Sequence, residues 1–190
     1  MTTLRSLIDT QAPGRQAPLF ETRQGNMELL VDVPGAPLKG IALIAHPQPL
    51  LGGSARHKIP FSLARALSDD AWLAIRPNFR GVGRSEGEHD QGEGESDDLL
   101  CLVHALRDVW PALPIALIGF SFGAYVQARV ANALAQSGQP AEYVVLLGLP
   151  VGLVPDGRFY ATPSLASDTL LIHGEHDEHA PLALLSAHVR

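Results

Sequence analysis

Five short apolar runs with almost no polar interruption are spaced along the chain, at 40–45 (GIALIA), 72–75 (WLAI), 114–118 (PIALI), 143–147 (YVVLL) and 169–172 (TLLI). A strand with one wet face alternates apolar and polar residues, whereas a strand covered on both faces reads as a continuous run. Between the runs, segments 61–69, 96–109 and 122–136 repeat apolar residues at a spacing near 3.6, as amphipathic helices do. Strands alternating with helices predict an α/β fold: βαβ units, right-handed crossovers, and a mostly parallel sheet flanked by helices. The stretch 27–33 (MELLVDV) alternates like a half-exposed strand. With the weaker 19–22 it is expected to form an antiparallel start to the sheet.

A length of 190 residues suits a single domain with one core, here 1–190. The hydrophobic share of 46% and charged share of 18% are those of a soluble globular protein. A net charge of −6, with no dense Lys/Arg cluster, argues against a nucleic-acid partner. No run reaches the roughly 18 apolar residues of a membrane span, and 1–15 lacks the apolar core of a signal peptide. Cys101 is the only cysteine, so no internal disulfide forms, in agreement with a cytoplasmic location.

The chemistry concentrates at one junction. Residues 115–118 read as a buried strand and 122–135 as a helix, with Gly119-Phe120-Ser121-Phe122-Gly123 between them. A G-x-S-x-G turn from strand to helix is the setting of a nucleophile elbow. Its serine stands exposed at the helix N-terminus, where backbone N–H groups stabilise a developing oxyanion. Glycines at 119 and 123 let strand and helix pass closely. A glycine-rich helix start with a serine cap is the plainer alternative, and the strand–helix context disfavours it.

A second oxyanion donor is needed from the loop after an earlier strand. The run 41–45 leads into His46-Pro47-Gln48-Pro49, then Leu51-Gly52-Gly53-Ser54. Pro47 and Pro49 have no N–H, so Gln48 is the donor expected to act with the N–H of Phe122, the plainer alternative being a proline-stiffened loop without chemistry. His46 reads as a structural hydrogen-bonding residue. Phe120, Phe122 and Leu51 are candidates for the pocket wall.

With these segments in place the chain resembles small bacterial α/β-hydrolases, a group described as predicted hydrolases or as dienelactone-hydrolase-like. The matching stretches, in the family's order, are His46-Pro47 with Gly52-Gly53-Ser54; Asn78-Phe79-Arg80-Gly81-Val82-Gly83-Arg84-Ser85-Glu86-Gly87; and Gly92-Glu93-Gly94-Glu95 with Asp97-Asp98. Gly119-Phe120-Ser121-Phe122-Gly123-Ala124-Tyr125 and His173-Gly174-Glu175 with Asp177-Glu178 complete them. They cover most of the chain from about residue 40 onward. The resemblance implies an α/β-hydrolase fold, compact and nearly lidless, with a Ser-Asp-His triad. It places the acid at Asp177, where it would fix the histidine tautomer. It makes 78–87 a structural loop at the site rim, with Arg80 tied to backbone carbonyls or to Asp97 or Asp98. The acidic run Glu86, Glu88, Asp90, Glu93 and Glu95 reads as a solvated loop.

One element of the pattern is missing. The family's histidine follows one more helix and strand after the acid, and thirteen residues remain after Asp177. His188 would fall within that helix, so the role is not assigned to it. Three explanations compete: a chain lacking its last strand and helix; a histidine lent by His46, His57, His176, His179 or a second subunit; or a degenerate hydrolase. The first is preferred, because it leaves an apolar sheet edge, which also invites a homodimer.

The run 173–179 holds three histidines and three acids. Its spacing fits no H-E-x-x-H motif and Gly174 interrupts it, so neither metal nor other cofactor is expected. The favoured function is hydrolysis of a small carboxylic ester through an acyl-enzyme at Ser121, since the short spacing between motifs leaves no room for a large lid. The alternative is a non-catalytic binding protein on the same fold. A metal-dependent hydrolase and a peptidase rank lower.

Overall fold

A computed structural model describes residues 4–189. Residues 1–3 of the N-terminal stretch considered above, and Arg190, lie outside them. The elements, in chain order, are α1 (Leu4–Leu7), β1 (Gly14–Gln16), β2 (Leu19–Thr22), β3 (Gly25–Val33), β4 (Gly40–Ala45), α2 (Lys58–Asp69), β5 (Trp72–Pro77), α3 (Glu93–Val109), β6 (Ile115–Phe120), α4 (Phe122–Gln136), β7 (Tyr143–Leu147), β8 (Gly152–Leu153), β9 (Phe159–Tyr160), β10 (Leu170–Ile172) and α5 (Leu182–His188).

The main sheet runs β1-β3-β5-β4-β6-β7-β10, with β2 also pairing β3. Neighbours from β5 through β10 are parallel, and β1, β2 and β5 pair β3 antiparallel. The parallel core and the antiparallel start are those the sequence predicts.

Alternation along β4 explains its unbroken apolar run. Ile41 and Leu43 face one layer with Leu99, Leu102, Val103 and Leu106 of α3 and Val126, Val130 and Leu134 of α4. Ala42 and Ile44 face the other with Ala74, Ala116, Ile118 and Ala64 of α2. Three alanines on that face let α2 lie close to the sheet. Each fully buried Ile or Leu contributes roughly 1.5–3 kcal/mol by leaving water.

Three expectations change. Strand β3 is not half-exposed: residues 27–33 are all buried. Its polar residues are satisfied from within, Glu28 by Arg84 (2.8 Å) and Asn78 (2.7 Å), Asp32 by Arg76 (2.5 Å). Alternation reports polarity, and paired carboxylates defeat it as a measure of exposure. Strand β10, expected to be covered on both faces, pairs with β7 alone, and Leu170 (54%) and Ile172 (49%) remain exposed. The acidic run is not uniformly solvated. Glu95 is fully buried, where it caps α3 by accepting the N–H groups of Asp90 and Gly92, both at 2.9 Å.

Candidate active site

Because β4, β6, β7 and β10 run parallel, the segments that follow them emerge at one end of the sheet. Gln48 follows β4, Ser121 follows β6, Gly148 follows β7 and Asp177 follows β10. Ligand sites of open parallel sheets form at this carboxyl end.

Ser121 has φ 55° and ψ −120°, a left-handed backbone on a non-glycine residue. Such strain persists only where the surroundings enforce it. Here the Ser121 N–H donates to the Leu147 carbonyl (2.8 Å), while the Ser121 carbonyl accepts from Ala124 (2.8 Å) and Tyr125 (3.2 Å). The flanking glycines are required by space. A Cβ at 119 would lie 2.3 Å from the Gly123 carbonyl oxygen, and one at 123 would lie 2.4 Å from that of Ala45. The second contact ties the turn to the end of β4.

The β4 loop is fixed by backbone bonds. Gln48 is buried and its carbonyl accepts from Leu51 (3.1 Å) and Gly53 (2.9 Å), closing a tight helical turn over Pro49–Leu51. A Cβ at Gly53 would lie 2.2 Å from the Pro47 carbonyl. Beneath the loop His46 is fully buried. Its Nε2 accepts the Phe79 N–H (3.0 Å) and its Nδ1 faces the Pro47 carbonyl (2.7 Å). Burial lowers its pKa to about 4, against the opposing contact with Pro47.

Among the described residues, the N–H groups of Gln48 and Phe122 make no backbone bond. Both residues line a cleft of about 660 Å³ with Leu50, His89, Arg158 and Tyr160. Its outer wall is the small β8–β9 hairpin, outside the main sheet. Burial raises the pKa of the Tyr160 phenol, and the neighbouring Gln48 side chain opposes the rise. Of the expected wall residues, Phe122 lines this cleft. Leu50 stands there rather than Leu51, because the turn over Pro49–Leu51 directs neighbouring side chains apart.

Asp177 lies beside the ends of β6 and β7: a Cβ at Gly148 would be 3.3 Å from Asp177 Oδ2 and 3.7 Å from the Phe120 ring. Its Oδ1 accepts the backbone N–H groups of His179 and Ala180, both at 2.9 Å. Ser121, Phe122, Gln48 and Asp177 thus share the carboxyl end of the sheet.

This topology, with a strained serine at the turn after β6, agrees with what the family comparisons find. The family model for the alpha/beta hydrolase fold matches residues 50–150. The chain belongs to the α/β-hydrolase family. The solved α/β serine hydrolase homologue of Coxiella burnetii is 32% identical with a TM-score of 0.79, over 94% of this chain and 82% of that one. A lidless α/β serine hydrolase of Xanthomonas campestris is 30% identical with a TM-score of 0.80, over 93% and 78%. An uncharacterized protein of Rickettsia prowazekii is 39% identical over 56% of this chain and 45% of its own length. The chain spans less than half the length of the curated relatives it matches.

Within this α/β-hydrolase, Arg80 forks onto Asp98 at 2.6 and 3.2 Å, one of the two acids expected to hold it. His89 escaped the sequence reading. Its Nδ1 lies 2.9 Å from Glu95 Oε1, at an angle short of a hydrogen bond, and its ring packs 5.1 Å from that of Phe122. The only local signal was its place six residues before the capping Glu95 of α3. His188 lies within α5, its Nε2 3.0 Å from the Pro163 carbonyl. No histidine side chain is hydrogen-bonded to Ser121 or Asp177 among the described residues.

Proposed function

We propose that this chain is a serine hydrolase that cleaves a small carboxylic ester through an acyl-enzyme at Ser121. The observation that carries the reading is the strained backbone of Ser121 at the strand–helix turn, next to a cleft lined by Gln48 and Phe122. Ser121 Oγ attacks the acyl carbonyl and its proton passes to a histidine base. The negative charge moves to the carbonyl oxygen, where the N–H groups of Phe122 and Gln48 receive it. The protonated histidine returns the proton to the departing alcohol. Water then attacks the acyl-enzyme by the same route and frees Ser121.

Asp177 holds the base. Its Oδ1 is taken by two backbone N–H groups, and Oδ2 is left to orient an imidazole. His46 is unsuited, with both ring nitrogens engaged by the backbone. Of the other histidines considered as lenders, His57, whose Nδ1 accepts the Ile59 N–H, and the exposed His176 and His179 each keep a ring nitrogen to spare. A small ester suits a cleft walled on one side by a short hairpin.

Labelling of the full encoded protein with a fluorophosphonate probe tests the nucleophile. Modification is expected at Ser121 and lost in Ser121→Ala, together with ester turnover. A protein that stays unlabelled, or a Ser121→Ala variant as active as the parent, overturns the reading. Among the described residues no histidine is bonded to Ser121, which favours one other reading, a non-catalytic binding protein on this fold. Ester turnover that depends on Ser121 rules it out.

A further inference from the structure

A second pocket, of about 390 Å³, opens on the antiparallel side of the sheet, away from the Ser121 cleft. Three arginines converge there around one phenylalanine. The guanidinium carbons of Arg15 and Arg76 lie 4.9 and 5.3 Å from the Phe61 ring centroid, and Arg56 lines the same pocket. One carboxylate serves them. Asp32 accepts from Arg15 Nε at Oδ1 (3.2 Å) and from Arg76 Nη2 at Oδ2 (2.5 Å). Arg76 Nη1 donates to the Ala55 carbonyl (2.9 Å).

That leaves donors unused. Arg76 is 3% exposed, and its buried Nε has no hydrogen-bond partner. The Arg56 side chain meets no carboxylate among the described residues. Three cations against Asp32 leave a local surplus of two positive charges, 3 − 1 = 2, on a chain whose net charge is −6. Like charges gathered in a half-buried pocket repel each other unless an anion sits among them. Guanidinium forks match the oxygens of phosphate in geometry as well as charge. Leu30, Val31, Ala17 and the Phe61 ring supply an apolar wall beside them.

We propose that this pocket binds a small phosphate monoester, its phosphate held by Arg15 and Arg56 at the mouth and its organic body against Phe61 and Leu30. A phosphate dianion matches the surplus of two charges. A carboxylate neutralises half of it, and inorganic phosphate leaves the apolar wall bare.

Isothermal titration of the full encoded protein at low ionic strength provides the test, with phenyl phosphate, inorganic phosphate and benzoate as probes. Phenyl phosphate is expected to bind one to one, at least tenfold more tightly than either of the others. Arg56→Ala, a change at an exposed side chain, should weaken it tenfold or more, and Arg56→Lys should recover part of the loss. Ser121→Ala should bind as the parent does, which separates this site from the ester cleft. The proposal fails if phenyl phosphate does not bind at millimolar concentration. It fails equally if folded Arg56→Ala binds like the parent, or if Ser121→Ala abolishes binding.

Discussion

Mild acid should destabilise this protein through His46, beneath the Gln48 loop. With its proton on Nδ1, the neutral ring gives that proton to the Pro47 carbonyl and accepts the Phe79 N–H at Nε2. A second proton would sit on Nε2 and point at an N–H. Burial is the main reason the pKa falls from 6.5 to about 4; the Pro47 contact opposes the fall and nearby His57 adds to it. The folded value lies below the unfolded one. The stabilisation is therefore complete above pH 6.5 and is lost as pH drops toward 4. At 1.36 kcal/mol per unit, a gap of about 2.5 units amounts to about 3 kcal/mol. About 2 kcal/mol of it should vanish between pH 6.5 and 5, before most carboxylates protonate. Urea unfolding across that interval should show a steeper loss in the parent than in His46→Gln. Imidazole nitrogen shifts of the folded parent, followed by NMR, provide a check that needs no variant. A His46 ring that titrates near 6.5 in the native state refutes the reasoning.

Replacing Gln48 separates backbone from side chain. Gln48→Ala keeps the N–H, whereas Gln48→Pro removes it at a φ of −52° that proline accepts. If that N–H holds the oxyanion, kcat for an ester substrate should fall about 10²–10³-fold in the proline variant and far less in the alanine variant. Gly123→Ala drives a methyl against the Ala45 carbonyl at 2.4 Å, and should cost about 3 kcal/mol in chemical denaturation along with ester turnover. Asp98→Ala leaves the largely buried Arg80 guanidinium only its longer contact to Asp90 (3.8 Å) and should cost about 3 kcal/mol, visible as a lower urea midpoint at unchanged slope.

The parallel core was legible because continuous apolar runs follow directly from burial on both faces. The elbow was legible because glycine, serine and glycine meet where a strand-like run becomes helical. Distance in sequence hid the rest. Glu28 and Asp32 look solvent-facing until Arg84 and Arg76, more than forty positions on, are folded against them. Glu95 looks like one acid in a charged run, and its burial follows from its place in the first turn of α3, where it caps the N–H of Gly92. The hairpin wall of the cleft was invisible because β8 and β9 are two residues each, too short for any periodicity.

That hairpin separates the wall of the cleft from the frame that holds the turn. Ser121 and Gln48 are locked by backbone contacts, and a methyl group has no room at Gly53, Gly119 or Gly123 beside them. Arg158, Phe159 and Tyr160 belong to a ribbon that no strand of the main sheet pairs with. Substitutions there can reshape what enters the cleft while leaving the central ladder untouched. Side-chain changes on the ribbon alter the cleft wall, whereas a methyl group at Gly119 or Gly123 displaces the turn itself.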